Sequence, residues 1–345
     1  MQREQEYVGI DLHRRRSVIV RRSSDGETLS VDHVDNHDHA AFAKAVMAAG
    51  EHPEVVLEAS YGWYWATDLL EDLGCKVHLA HPLGNDWGHR RVKNDLRDAE
   101  DLADLLRLGR LAEAWIAPPE VRELREMVRH RAKLVCLRTN LKLQVYAVLA
   151  KEGVTVPMTD LFGVAGQKLL DDCRLGASYR HRVESLRELI IAFDKEVRLT
   201  DSEIYRFLAG DLGYRAIQQI PGVGPTFAAL FTAEIGDVSR FSSPDKLASW
   251  VGLTPRHRES DTTVRRGPIT KQGSRLCRWA AVEAAQRQPH GGKLRRDFER
   301  IAANHGNTPG ARKVARVAVA RKIVGLVYYG LRDGTVRSLA ADKAA

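Results

Sequence analysis

The chain has 345 residues, 44% hydrophobic and 28% charged, with a formal net charge of +8, a length that gives about two or three domains room for their own cores. No run of about 18 apolar residues occurs, and Met1 is followed by polar and charged residues, which argues against a membrane span and a secretory signal. Cys75, Cys136, Cys173 and Cys277 fit no disulfide or metal spacing, so a reducing cytoplasm is expected.

The charge is divided unevenly. Residues 211–345 carry 23 Lys/Arg against 11 Asp/Glu, whereas residues 1–210 carry 30 against 34. A basic C-terminal part joined to a mildly acidic N-terminal part predicts a polyanionic partner.

Residues 6–34 alternate as strands do, through "EYVGID", "SVIVRRS" and "TLSVDHV" with a turn at "SDGE". Helical spacing in "AAFAKAVMAAG", a strand "EVVLEAS", a helix "WYWATDLLEDLG" and a strand "KVHLAHP" follow. A three-strand meander followed by helix, strand, helix and strand is the element order of an RNase H-like α/β domain. In "DHVDNHDHA", His33, His37 and His39 with Asp35 and Asp38 resemble a ligand cluster, but they lack a fixed tetrahedral spacing and read as a surface loop.

In that sheet Asp11 ends the first strand and Glu58 the fourth, so the two carboxylates would lie side by side. Asp95 and Asp98 in "KNDLRDAEDLADLL" are spaced i, i+3 at a helix start and face one way about 5–6 Å apart. Four such oxygen donors suit Mg2+, and two such ions about 3.5–4 Å apart can clamp the two oxygens of a phosphodiester exchange. Asp101 and Asp104 continue the run, which leaves a solvated acidic helix face as the competing reading.

Residues 120–150 contain no Gly or Pro and space their apolar residues in a heptad-like way, and 183–208 does so again. Together they predict a long antiparallel helical hairpin, a coiled-coil arm, joined through 152–179. From 217, "IQQIPGVGPTFAALFTAEIG" has the pattern of a helix-hairpin-helix element, whose Gly222 and Gly224 turn can aim backbone N–H groups at a phosphate. The chain closes on a basic amphipathic helix in "ARKVARVAVARKIVGLVYYGLRDG".

The stretch "GLTPRHRESDTTVRRGPITKQGSRL", residues 252–276, gathers Arg256, Arg258, Arg265, Arg266, Lys271 and Arg275 around the hydroxyls of Ser260, Thr262 and Thr263. On residues alone it is either a solvated basic loop that grips phosphates or the seat of a nucleophile. Thr262 and Thr263 are hindered alcohols that fit strand use. Ser274 in "QGSR" is the rival, and "GPITKQGS" lacks the Lys that a phosphate loop needs before its hydroxyl residue.

"GID" with Asp11, "EASYGWYW" with Glu58, "KNDLRDA" with Asp95 and Asp98, then "IPGVGP", "SWVGLTP" and "RHRES" with Ser260 occur in that order along nearly the whole chain. In this it resembles the DEDD insertion-sequence transposases of the IS-110 type, also called bridge-RNA-guided serine recombinases. One departure is Asn94, where that family usually has Thr.

The resemblance implies a RuvC-like DEDD domain over 1–112, a coiled-coil arm over 113–210 and a mainly α C-terminal transposase domain over 211–345. It implies Ser260 as the nucleophile, Asp11, Glu58, Asp95 and Asp98 as catalytic holders of Mg2+, and a guide RNA from the element's flank that pairs with donor and target DNA. A serine hydroxyl needs activation, here expected from the arginines and from carboxylate-bound Mg2+ in a composite site. Strand exchange between element ends and target requires several active sites, so a homodimer or homotetramer is expected, in the bacterial cytoplasm at the nucleoid. Two other classes compete: a RuvC-like junction resolvase or nuclease that uses the carboxylates and water, and a non-catalytic nucleic-acid-binding scaffold.

Overall fold

In the computed structural model, which describes residues 5–82, 84, 94–260 and 263–336, Tyr7–Leu12 (β1), Arg16–Arg22 (β2) and Thr28–Asp35 (β3) form the expected antiparallel meander. Thr262 lies outside the described residues, as do the side chains of Arg258, Thr263, Val264 and Arg266. The chain divides into two compact units, Met1–Ala117 and Pro118–Ala345.

In the first unit, His39–Met47 (α1) follows the meander. Glu54–Glu58 (β4) then runs parallel to β1, and after Trp63–Asp72 (α2) Lys76–Ala80 (β5) runs parallel to β4. Asp95–Arg107 (α3) leads to a short edge strand, Glu113–Ala114 (β6), antiparallel to β5. The sheet order is β3-β2-β1-β4-β5-β6; from β1 to β5 the element order is the one the alternating and helical spacings predict, and β6 adds an edge strand that they do not.

Strand alternation sorts the residues onto two faces. Val8, Ile10, Val55 and Leu57 share a core with Phe42, Val46, Ala66 and Leu70 of α1 and α2. On the opposite face, Val56 and Ala80 pack with Leu102 and Leu106 of α3, while Val18 and Val20 pack with Ala99. Asp11 and Glu58 have the same parity as Gly9 and Val56, so both belong to the face that α3 covers.

In the second unit, Pro119–Lys151 (α4) and Ala177–Phe207 (α6) lie side by side, and the pairs Arg131–Asp201 and Arg138–Asp194 show that they run antiparallel. The connection through 152–179 contains a helix, Val164–Asp172 (α5), whose Leu170 packs with Val145, Val148, Leu161 and Val183 in a separate core at that end. At the other end, Leu124, Val128, Ile204 and Leu208 join one large core with the remaining helices.

Those helices are Leu212–Ile217 (α7), Pro225–Ile235 (α8), Pro244–Val251 (α9), Arg275–Gln286 (α10), Lys293–Asn304 (α11) and Pro309–Asp333 (α12). The last, expected as a basic amphipathic helix, wholly buries Ala315, Val319, Ala320, Ile323, Val324 and Val327 along one face and leaves Arg312, Lys313 and Lys322 exposed. It is a central element of its unit because α7, α9, α10 and α11 all pack on it. Pro255–Ser260 (β7) and Thr263–Ile269 (β8) form a two-stranded antiparallel sheet in the stretch weighed as a loop. Among the described residues, no helix is long and apolar enough to cross a membrane.

Candidate active site

The carboxylate edge is built by the contact between α3 and β1. A Cβ on Gly9 would lie 2.0 Å from the Ala99 carbonyl oxygen and 2.8 Å from the Ala103 nitrogen, so only glycine lets the helix lie directly on the strand. Asn94 starts α3 as its N-cap, its side chain accepting from the Leu96 N–H at 3.2 Å. The departure from Thr thus keeps a capping side chain. Asp95 and Asp98 fall in the first turn, where their charge also matches the helix dipole.

Asp11 and Asp95 are brought together, and with them a residue the sequence reading missed. His13 Nε2 is 2.9 Å from Asp11 Oδ2 and 3.4 Å from Asp95 Oδ1, while Arg16 Nη2 is 3.6 Å from Asp95 Oδ2. Donor atoms of Asp11, His13 and Asp95 lie within 4.8 Å of one another. Two hard carboxylate oxygens and an imidazole nitrogen converging in this way fit a divalent cation.

Glu58 and Asp98 stand outside that group. Both are half-buried and occupy the expected places: Glu58 follows Leu57, which pairs with Ile10 in the parallel register, and Asp98 lies one turn into α3. Asp104 is occupied elsewhere, paired with Arg22 and Arg107. In the decoy cluster, Asp38 caps α1 and His39 stacks on Trp65 with ring centroids 5.0 Å apart, which are structural roles.

In the second unit, Ser260 is exposed at the end of β7. The register pairs Ser260 with Thr263 and Arg258 with Arg265, so alternation puts Ser260 and Arg265 on one face as diagonal neighbours. His257 Nδ1 is instead 4.0 Å from Glu259 Oε2, two residues apart on the other face.

The base of this hairpin is fixed by backbone contacts. Thr270 N–H donates to Thr254 O at 2.9 Å and Lys271 N–H to Gly252 O at 3.1 Å. Arg278 holds the Val251 and Gln272 carbonyls at 2.8 and 2.7 Å. Lys271 adopts φ 58, a conformation costly for a residue with a side chain. Arg256, Arg265, Lys271 and Arg275 are all exposed. The rival Ser274 caps α10, its oxygen accepting from the Cys277 N–H at 3.2 Å.

Between α7 and α8, Gly222 has φ +82, and a Cβ there would meet the Ala284 carbonyl oxygen at 2.6 Å. Gln288 ties the same turn down by donating to Pro221 O at 2.6 Å and Ala284 O at 2.8 Å. Gly224, the exposed N-cap of α8, has no side chain of its own to cap the backbone N–H groups behind it.

A family model for the DEDD transposases of the IS110 type matches residues 8–152, which include Asp11, Glu58, Asp95 and Asp98. A second model, the transposase IS116/IS110/IS902 family, matches residues 214–298 with the hairpin inside. The chain belongs to the IS110-type DEDD transposases. A candidate transposase of Sinorhizobium fredii is 29% identical over 286 residues, covering 81% of this chain and 70% of that protein. The 44.8 kDa protein of insertion element IS116 from Streptomyces clavuligerus is 25% identical across 95% of this chain and 94% of its own length. The 43.6 kDa protein of insertion element IS110 from Streptomyces coelicolor is 24% identical across 62% of this chain and 47% of its own.

An IS110-type transposase is a DNA-binding enzyme that moves an insertion sequence by cutting and rejoining DNA, and the DEDD character of the family agrees with use of a divalent metal.

Proposed function

We propose that this transposase excises and inserts its element by serine recombination, with Ser260 as the nucleophile. The observation that carries this reading is the exposed Ser260 hydroxyl on a rigidly based hairpin beside Arg265, within the segment that matches the transposase family. Oγ of Ser260 forms a bond to a DNA phosphorus, and the bond from that phosphorus to the 3′ oxygen breaks. The proton lost by the serine is balanced by the one the freed 3′-hydroxyl gains. Attack by a 3′-hydroxyl of the partner strand reverses the step, so the phosphoserine bond conserves the energy and no nucleotide cofactor is consumed.

Arg265 and its exposed neighbours Arg256, Lys271 and Arg275 supply charge-assisted hydrogen bonds to phosphate oxygens. On this reading Arg258 and Arg266 share that task. Asp11 and Asp95, with Glu58 and Asp98 on the same sheet face and helix, would hold a divalent cation, Mg2+ on the family pattern, which supplies Lewis acidity toward a phosphoryl oxygen. The turn at Gly222 and Gly224, as a helix-hairpin-helix element, grips backbone phosphate through the N-terminus of α8.

The same proposal includes the RuvC-like character of 1–112, the coiled-coil arm of 113–210 and the transposase domain of 211–345. It also includes assembly as a homodimer or homotetramer, a guide RNA from the element flank, and action at the nucleoid in the cytoplasm.

The test incubates labelled DNA bearing the joined element ends with flank transcript and Mg2+, followed by denaturing electrophoresis. A detergent-stable protein–DNA adduct is expected with wild type and lost in Ser260→Ala, and no strand scission is expected when the cation is chelated. Cutting by both proteins without an adduct would replace the serine reading with the carboxylate nuclease that uses water.

A further inference from the structure

The β1–β2 turn that carries His13 is held more firmly than a solvent-exposed basic turn requires. The His13 N–H donates to Arg16 O at 3.2 Å, and the His13 carbonyl accepts from Asn36 Nδ2 at 2.6 Å. Asn36 also donates its backbone N–H to Arg15 O at 2.9 Å and accepts from Ser17 Oγ at 2.6 Å. Ser17 is wholly buried and Asn36 nearly so. A buried, satisfied polar network therefore fixes the backbone on both sides of an imidazole whose side chain is 45% exposed and points at two carboxylates.

Arg16 approaches Asp95 Oδ2, while Oδ1 of the same carboxylate is the oxygen nearest His13. The second oxygen is thereby engaged and the first is turned to the shared space. An octahedral cation with donors at about 2.1 Å keeps adjacent donors about 3.0 Å apart. The His13 separations of 2.9 Å from Asp11 Oδ2 and 3.4 Å from Asp95 Oδ1 match such edges.

We propose that His13 is a direct protein ligand, through Nε2, of the divalent cation held by Asp11 and Asp95, and that this nitrogen donor biases the site toward Mn2+ over Mg2+. The inference rests on the metal-binding part of the reading above and adds a ligand that the four-carboxylate pattern does not contain. Imidazole suits borderline transition cations, whereas Mg2+ is bound chiefly by oxygen. Asn36 is then a positioning residue: it holds the turn from which His13 reaches the cation.

The experiment titrates the full chain with Mn2+ and follows it by electron paramagnetic resonance, in wild type, His13→Gln and Asp11→Asn. Bound Mn2+ is then interrogated by electron spin echo modulation for a directly bonded nitrogen. Wild type is expected to show nitrogen modulation, and His13→Gln to lose it with an affinity lower by about 10-fold or more. Asp11→Asn is expected to lose tight binding, and thermal melts check that both variants fold. Bound Mn2+ without nitrogen modulation in wild type, or with modulation and affinity unchanged in His13→Gln, overturns the inference and leaves the carboxylate site standing. Failure of wild type to bind Mn2+ at this edge overturns both.

Discussion

Gly9 of β1 and Ala99 of α3 meet backbone to backbone, a Cβ on the glycine being placed 2.0 Å from the alanine carbonyl oxygen. Gly9→Ala must therefore lift the helix that carries Asp95 and Asp98 away from the strand that carries Asp11. Overpacking of this kind costs about 1–3 kcal/mol. Urea unfolding should show that loss, and Mn2+ affinity should fall with it.

Asn36→Ala leaves the buried Ser17 hydroxyl and the His13 carbonyl without their partner. The expected destabilisation is about 1–3 kcal/mol, and Ser17→Ala made on top of it should cost much less than it does alone. A double-mutant cycle by chemical denaturation measures this.

Much of this arrangement is legible in the sequence. Strand alternation and the parallel pairing of β1 with β4 put Asp11 and Glu58 on one face, and the i, i+3 spacing puts Asp95 and Asp98 in one helical turn. His13 escaped because it sits in "DLHRRR", where three arginines read as a solvated turn, while His33, His37 and His39 drew attention by number. The available signal was the spacing: residues 11 and 13 lie two apart at a strand end, where alternate side chains share a side. The β7–β8 hairpin was legible only in the strand preference of Thr262 and Thr263, for a different reason. Its arginines, with Val264 and Ile269 five residues apart, give no hydrophobic alternation. That α12 is the central helix of its unit depends on α7, α9, α10 and α11, which no local pattern encodes.

Glu234 on α8 is nearly buried and takes Arg129 in two bonds, Nε to Oε1 at 2.7 Å and Nη2 to Oε2 at 3.1 Å. Arg125 holds the end of the same helix through the Ala233 and Glu234 carbonyls, each at 2.9 Å. Arg129→Ala strands a buried carboxylate and should cost about 3 kcal/mol. Glu234→Gln in the same background should recover part of it in a denaturation series.

Asp297 on α11 bonds to Lys322 of α12, with Arg300 close by, and the Lys322 hydrogen bond is the main cause that holds its carboxyl below the usual range. A depressed folded pKa contributes stability above the unfolded value, near 4, and that contribution is lost as pH falls through the folded value. Wild type should therefore lose stability more steeply than Asp297→Asn below about pH 4. Thermal melts across that range check the sign.

Burial pushes the Cys277 thiol far above its ordinary pKa, and burial also raises that of Cys75. Cys136 is exposed on α4. Brief treatment with a maleimide should label Cys136 and spare Cys277 until denaturant is added, as read by peptide mass spectrometry.

The ion pairs Arg131–Asp201 and Arg138–Asp194 recur after seven residues on α4 and after seven on α6. Seven residues are nearly two full helical turns, so adding that number to both helices returns each side chain to its former facing while moving the tip outward by about 10 Å. Adding four or five to one helix alone would set arginine against the wrong neighbour. The reach of this pair can therefore change in strides of seven residues per helix without turning either ion pair away from its partner.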